Sequence, residues 1–300
     1  MTAFLYLITV LVWGSTWIAL KLQLGSVPIT WSIVWRFALA ALVLFAWLAA
    51  RRQLRAPVRA AWPLVAAQGI CLFCVNFICF MNASRFIPSG LVAVVFSTST
   101  LWNALGARLV FQRVLTAPVL GGGALGLAGL LAMFWPEITS HGASTQTLIG
   151  LAWALAGTLC FSCGNLLSAR MQALGETPAL TNAWGMAWGA LVLAVGSLIA
   201  GVPVAFDFSS TYVLAWLYLA LAGSVVGFTA YLMLVGRLGP ERAAYCTVLF
   251  PLVALSISSV AEGYQFTAPA IAGLGLVMAG NVLIFRKPRR VPAAPATTPR

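Results

Sequence analysis

Acidic residues are almost missing from this 300-residue chain: five Asp and Glu against seventeen Lys and Arg, with one histidine. Charged residues make up only 7% of the sequence, where a soluble globular domain carries about 25%. None of the acids falls in the middle of an apolar run, and His141 lies in a loop after Pro136 and beside Gly142. That removes paired aspartates, His-Glu-x-x-His and a serine with a histidine base, so an intramembrane protease is excluded. It also removes the usual metal ligands, because Glu137, Asp207 and Glu262 sit on separate loops. Neither metal nor cofactor is expected, nor is enzymatic activity. The net charge of +12 does not make a nucleic-acid binder, because the basic residues form short clusters between long apolar runs.

What is abundant is apolar surface. Hydrophobic residues make up 62% of the chain, and the mean hydropathy is +0.99. A polytopic inner-membrane protein fits; a soluble enzyme or a disordered chain does not. Six cysteines lie inside the apolar segments, including Cys71/Cys74 and Cys160/Cys163 at C-x-x-C spacing. With no histidine or carboxylate nearby they read as small hydrophobes.

Crossing about 30 Å of hydrocarbon takes roughly 20 apolar residues. Breaking the chain at Pro, Gly and charge clusters gives ten spans, near 3–20, 29–50, 62–83, 88–111, 116–135, 148–170, 179–200, 211–235, 240–260 and 267–285. The first reads as a retained span, since no basic segment precedes it. Arg51, Arg52, Arg55, Arg59, Arg108, Arg113, Arg170, Arg237 and Arg242 fall on one side, with the basic tail. Lys21 and Arg85 fall on the other with Glu137, His141, Asp207 and Glu262. The bias places both termini in the cytoplasm.

The two halves resemble each other at an offset near 150. Trp35 matches Trp184, Ala-Leu-Val-Leu at 41–44 matches 190–193, Arg85 and Pro88 match Arg237 and Pro240, and Thr116-Ala117-Pro118 with Gly122 matches Thr267-Ala268-Pro269 with Gly273. Each half holds five spans, and an odd number turns the second half over relative to the first. The expected fold is an all-α membrane protein of ten transmembrane helices in two inverted five-helix repeats, 1–145 and 146–286, followed by a basic disordered tail, 287–300. Inverted repeats are the architecture of alternating access, with the substrate near the midplane between them.

Certain motifs carry a more specific likeness. Trp-Gly-Ser-Thr-Trp at 13–17 precedes Lys21; Trp35-Arg36-Phe37 opens the second span; Gly223 to Tyr231, Leu238 to Ala244 and Phe250 to Ala254 follow in the second half. With Glu262-Gly263-Tyr264 before a glycine-rich last span, these resemble the EamA-type branch of the drug/metabolite transporter superfamily over residues 1–286. The resemblance implies ten helices, both termini inside, and export of small metabolites, often amino acids, from a bacterial cell. Ser97 to Thr100 stand where Pro251 stands in the other half, and Gln112 replaces a frequent glutamate.

A charge at mid-membrane costs about 2.5–3.5 kcal/mol on insertion scales, so the lack of one removes the simplest proton relay and the simplest site for a cationic drug. A neutral or zwitterionic solute moving by facilitation or exchange is expected, amino acids first, large and aromatic ones included; nucleosides, other metabolites and drugs are the alternatives, and a non-transporting scaffold a further one. The resemblance points to Asn76, Ser97, Ser99 and Asn165 as pocket polar groups, although helix-to-helix hydrogen bonding is the simpler role for each. Thr247 is a further polar candidate. Trp17, Phe80, Trp102, Phe161, Tyr231 and Tyr245 are the aromatic candidates. Pro240 and Pro251 are candidate hinges. Arg36, the charge well inside a span, is expected to be paired or to snorkel, with a substrate carboxylate as the sharper alternative. Glycines at 121, 122, 123, 126, 129, 273, 275 and 280 make small-residue faces, read as packing within a monomer, with a dimer contact as the alternative.

Overall fold

The computed structural model describes residues 2–112, 114–139, 145–238 and 246–284. Among these every regular element is a helix. We number the helices α1 (Thr2–Leu22), α2 (Ile29–Ala50), α3 (Arg59–Phe86), α4 (Ser89–Phe111), α5 (Ala117–Thr139), α6 (Thr145–Ala173), α7 (Pro178–Ile199), α8 (Ser210–Leu217 continued by Tyr218–Val226 and Gly227–Leu238), α9 (Cys246–Ala261) and α10 (Ala268–Ile284). Among the described residues eight helices are long and apolar enough to cross a membrane, and two shorter apolar ones, Leu249–Ala261 and Ala268–Ile284, follow. The ninth expected span begins at 240; residues 239–245 lie outside those described, and the described part of its helix is Cys246–Ala261. The tail 287–300 also lies outside them.

Two helices are not regular. Cys71–Val75 in α3 and Tyr218–Val226 in α8 widen into π-helix, and the two segments sit about 150 residues apart. A π segment releases backbone groups from the ordinary ladder and is frequent at functional sites.

The repeat seen in the sequence reappears as paired hydrogen bonds. Trp35, near the start of α2, donates its indole N–H to Ala205 O beyond the end of α7, at 2.9 Å. Trp184, near the start of α7, donates to Arg55 O beyond the end of α2, at 3.0 Å. Each helix therefore begins where the other ends, and the two run antiparallel. Glu176 fastens the same junction: Arg55 grips it at 3.2 and 2.7 Å, and Val58 N–H donates to it at 2.6 Å. At the opposite end Asp207 accepts from Ser26 Oγ at 3.0 Å and from Ser209 N–H at 2.8 Å. These two bonds, the Ser209 amide first, hold its carboxyl below the usual range.

The glycine faces meet inside the chain. α5 and α10 cross at Gly122 against Gly280 and Gly129 against Gly273, and a Cβ built on Gly273 would lie 2.5 Å from Gly129 O. No side chain shifts out of the way of a backbone carbonyl. Gly273→Val is expected to cost about 1–3 kcal/mol by overpacking, read as a lower midpoint in a detergent thermal melt. Gly275→Val, with open space at its Cβ, serves as the control.

Candidate functional site

Among the described residues a small cavity of about 40 Å³ opens among α1, α2, α3, α4, α6 and α8. Rings form most of its wall. Trp17 packs edge-on to Phe80 at 5.1 Å and tilted to Phe96 at 5.2 Å, and Phe96 meets Phe161 at 4.6 Å. Trp13, Phe77 and Phe228 complete the aromatic lining, with Leu20, Thr16, Asn76 and Arg36. α1 supplies residues at one-turn spacing, 13, 16, 17 and 20, which places them on one face of the helix.

Arg36 is the charge in this wall, and it does not behave as the sequence led us to expect. It neither snorkels, being 3% exposed, nor pairs with an acid: the salt bridges among the described residues join Lys21 to Glu262 and Arg55 to Glu176. Its Nε donates to Ser224 Oγ at 3.0 Å, and its guanidinium lies over the Phe77 ring at 4.2 Å. Nη1 is buried without a hydrogen-bond partner, and so is the Trp17 indole nitrogen.

The π segment of α8 makes room for this group. Ser224 Oγ donates in turn to Leu219 O, five residues back, at 2.9 Å. Gly223 O accepts the Trp13 indole N–H at 3.0 Å. A Cβ on Gly223 would lie 2.9 Å from Thr16 Cγ2 and 3.4 Å from Arg36 Nη2. Glycine here leaves space for the guanidinium.

Trp17, Asn76, Phe80, Phe161 and Arg36 thus come together on one cavity. Asn76 also ties α3 to α6 through Gly157 O at 3.0 Å. Other candidates lie elsewhere. Ser97 Oγ returns to Val94 O at 2.6 Å. Ser99 Oγ and Asn165 Nδ2 are buried without partners, away from this lining. Trp102 donates to Thr98 Oγ1 at 3.2 Å, and Tyr231 stands behind the wall against Trp13 at 5.0 Å. Pro251 lies inside α9. Pro240, Tyr245 and the Thr247 side chain lie outside the described residues. Trp13, Phe77, Phe96 and Phe228 were missed, although Trp13 stands one helical turn before Trp17.

Next to Leu20 in sequence, Lys21 belongs to a polar knot. Lys21 Nζ pairs with Glu262 Oε1 at 2.5 Å. The same carboxylate accepts from Ser89 N–H at 3.1 Å, from the Ser89 hydroxyl, and from Ser258 Oγ at 2.6 Å. The ends of α1 and α9 and the start of α4 are joined there. Burial alone would raise the Glu262 carboxyl, but Lys21, Ser258 and Ser89 more than offset it and hold it below the usual range.

The model of the EamA-like transporter family matches residues 1–135 and again 148–286, so the chain belongs to that family. It is 27% identical to a probable amino-acid metabolite efflux pump of Salmonella typhimurium over 94% of this chain and 95% of the relative. It is also 27% identical to the inner membrane transporter YedA of Escherichia coli over 96% of this chain and 92% of that one. A protein crystal structure with 17% sequence identity matches with a TM-score of 0.70, over 94% of this chain and 96% of that chain, and shows a shared fold.

Proposed function

We propose that this chain is an inner-membrane exporter of small amino-acid-type metabolites, working by alternating access between two inverted halves, 1–145 and 146–286. All ten apolar helices cross the bilayer, with both termini in the cytoplasm, and the chain works as a monomer. The solute presents a carboxylate to Arg36 and an apolar, often aromatic, body to Trp17, Phe80 and Phe161. Movement is facilitated or by exchange.

One observation carries this reading: an arginine that lines the cavity and whose guanidinium is buried with an unpartnered N–H. An unpaired buried ion costs several kcal/mol, and a desolvated cation–π contact returns about 2 kcal/mol. The deficit is met when a carboxylate arrives. The antiparallel pairing of α2 with α7 supports inversion, and the name of the Salmonella relative supports the solute class.

Counterflow in proteoliposomes tests it. Vesicles preloaded with unlabelled Phe, Trp, Met or Thr should draw in the labelled solute without any ion gradient. No entry above protein-free vesicles for any of them, nor for a deaminated acid of the same shape, overturns the proposal. Trp17→Ala should weaken aromatic solutes about fivefold, the worth of one ring contact, and leave Thr unchanged; equal loss for all would mark Trp17 as packing.

A further inference from the structure

We propose that the solute this cavity prefers is a monocarboxylate on an aromatic-sized body, an amino-acid-derived acid without its ammonium group, such as a 2-oxo acid. This rests on the export function proposed above and narrows its substrate class. Arg36 is the charged residue of the lining, and no Asp or Glu joins it among the described residues. Among the lining residues, the buried polar atoms without a partner are Arg36 Nη1 and Trp17 Nε1, and both are donors. Two donors call for an acceptor, and a carboxylate supplies two oxygens.

Apart from Asn76 Oδ1, the acceptors near the wall are already engaged, which leaves few places for a second cation. Gly157 O already accepts from Asn76 and Gly223 O from Trp13. The Thr16 hydroxyl is turned onto Trp13 O at 2.8 Å. Ser224 Oγ takes the Arg36 Nε–H and gives its own proton to Leu219 O. Glu262, the acid of the polar knot, is engaged by Lys21, Ser89 and Ser258. The ammonium of a zwitterion would enter beside a guanidinium, stripped of water and without a counter-anion, which disfavours it. An acid of the same shape keeps the Arg36 contact and the ring contacts and sheds that penalty.

Three solutes with one phenyl ring separate the charges: phenylpyruvate, phenylalanine and phenethylamine. Counterflow of each is measured in proteoliposomes of the full chain at neutral pH, with leak subtracted from protein-free vesicles. At limiting concentration phenylpyruvate should exchange about tenfold faster than phenylalanine or more, a difference equivalent to one lost charge partner, and phenethylamine should not exceed leak. Phenylalanine carried as well as phenylpyruvate, or phenethylamine carried at all, overturns the charge assignment and leaves export standing. Exchange of none of the three, together with none of Trp, Met or Thr, overturns both.

Discussion

Replacing Arg36 by glutamine should reduce transport about 100-fold, the loss expected when one partner of a desolvated charge pair is removed, while leaving the protein as stable as before or more so. The two effects are expected to part because the guanidinium has no acid beside it in the folded chain. Its partners are Ser224 Oγ at 3.0 Å and the rings of Phe77 at 4.2 Å and Phe37 at 5.0 Å, and Nη1 has no hydrogen-bond partner. Neutralising a buried ion of this kind removes a desolvation cost of several kcal/mol. Glutamine keeps a polar end that can still reach Ser224. The measurement is a pair: counterflow rate, and midpoint of a thermal melt in detergent without solute. A melt lowered by many degrees with transport kept would make Arg36 a structural member of the α2–α8 contact. Arg36→Lys should recover part of the rate, since it restores the charge without the forked geometry.

How much of this site is legible in the sequence follows from what kind of signal each residue leaves. Trp35 and Trp184 announce themselves by position, and the structure uses both for the same indole bond to the far end of the partner helix. Helix ends are legible too, because Pro, Gly and arginine clusters interrupt apolar runs; α2 lies over 29–50 as the pattern predicts. Which face of a span turns inward is not legible in that way. A helix apolar all round has no polar stripe to mark its outside, so Phe77, Phe96 and Phe228 look like any lipid-facing ring until packing is known. Ser97 shows the converse. Its hydroxyl looks available, yet it is spent on the carbonyl three residues back, the local bond that serine makes readily in a helix. The π segments leave no compositional trace either, and without the one at Tyr218–Val226 neither the Ser224 contact nor the space at Gly223 could be placed beside Arg36.

In the proposed topology Glu262→Gln should open the end of the cavity beyond Leu20, which is the outer end in that topology. In the wild type one carboxylate holds Lys21 of α1, the amide and hydroxyl of Ser89 at the start of α4, and Ser258 of α9. In the proposed mechanism α1 and α4 belong to one half and α9 to the other, so parting them at this end is the movement its outward-open state requires. Glutamine still accepts from one or both serines but loses the ion pair with Lys21. A charged hydrogen bond is worth about 1.5–3 kcal/mol, enough to move a two-state population about tenfold or more. The readout is a cysteine at Leu20, on the cavity wall one residue before Lys21, labelled from outside by a membrane-impermeant maleimide and corrected for the native thiols. Labelling should quicken about tenfold in Glu262→Gln; an unchanged rate would make the knot a static cap. The pH dependence has a definite sign. The Glu262 carboxyl is depressed from its ordinary value of 4.5, so the closure it supports is complete above that value and is lost only as pH falls through the depressed one. Labelling and exchange in the wild type should therefore stay flat between about pH 6 and 8. A steep rise on mild acidification within that window would assign the gate to another group and bring a proton into the transport cycle.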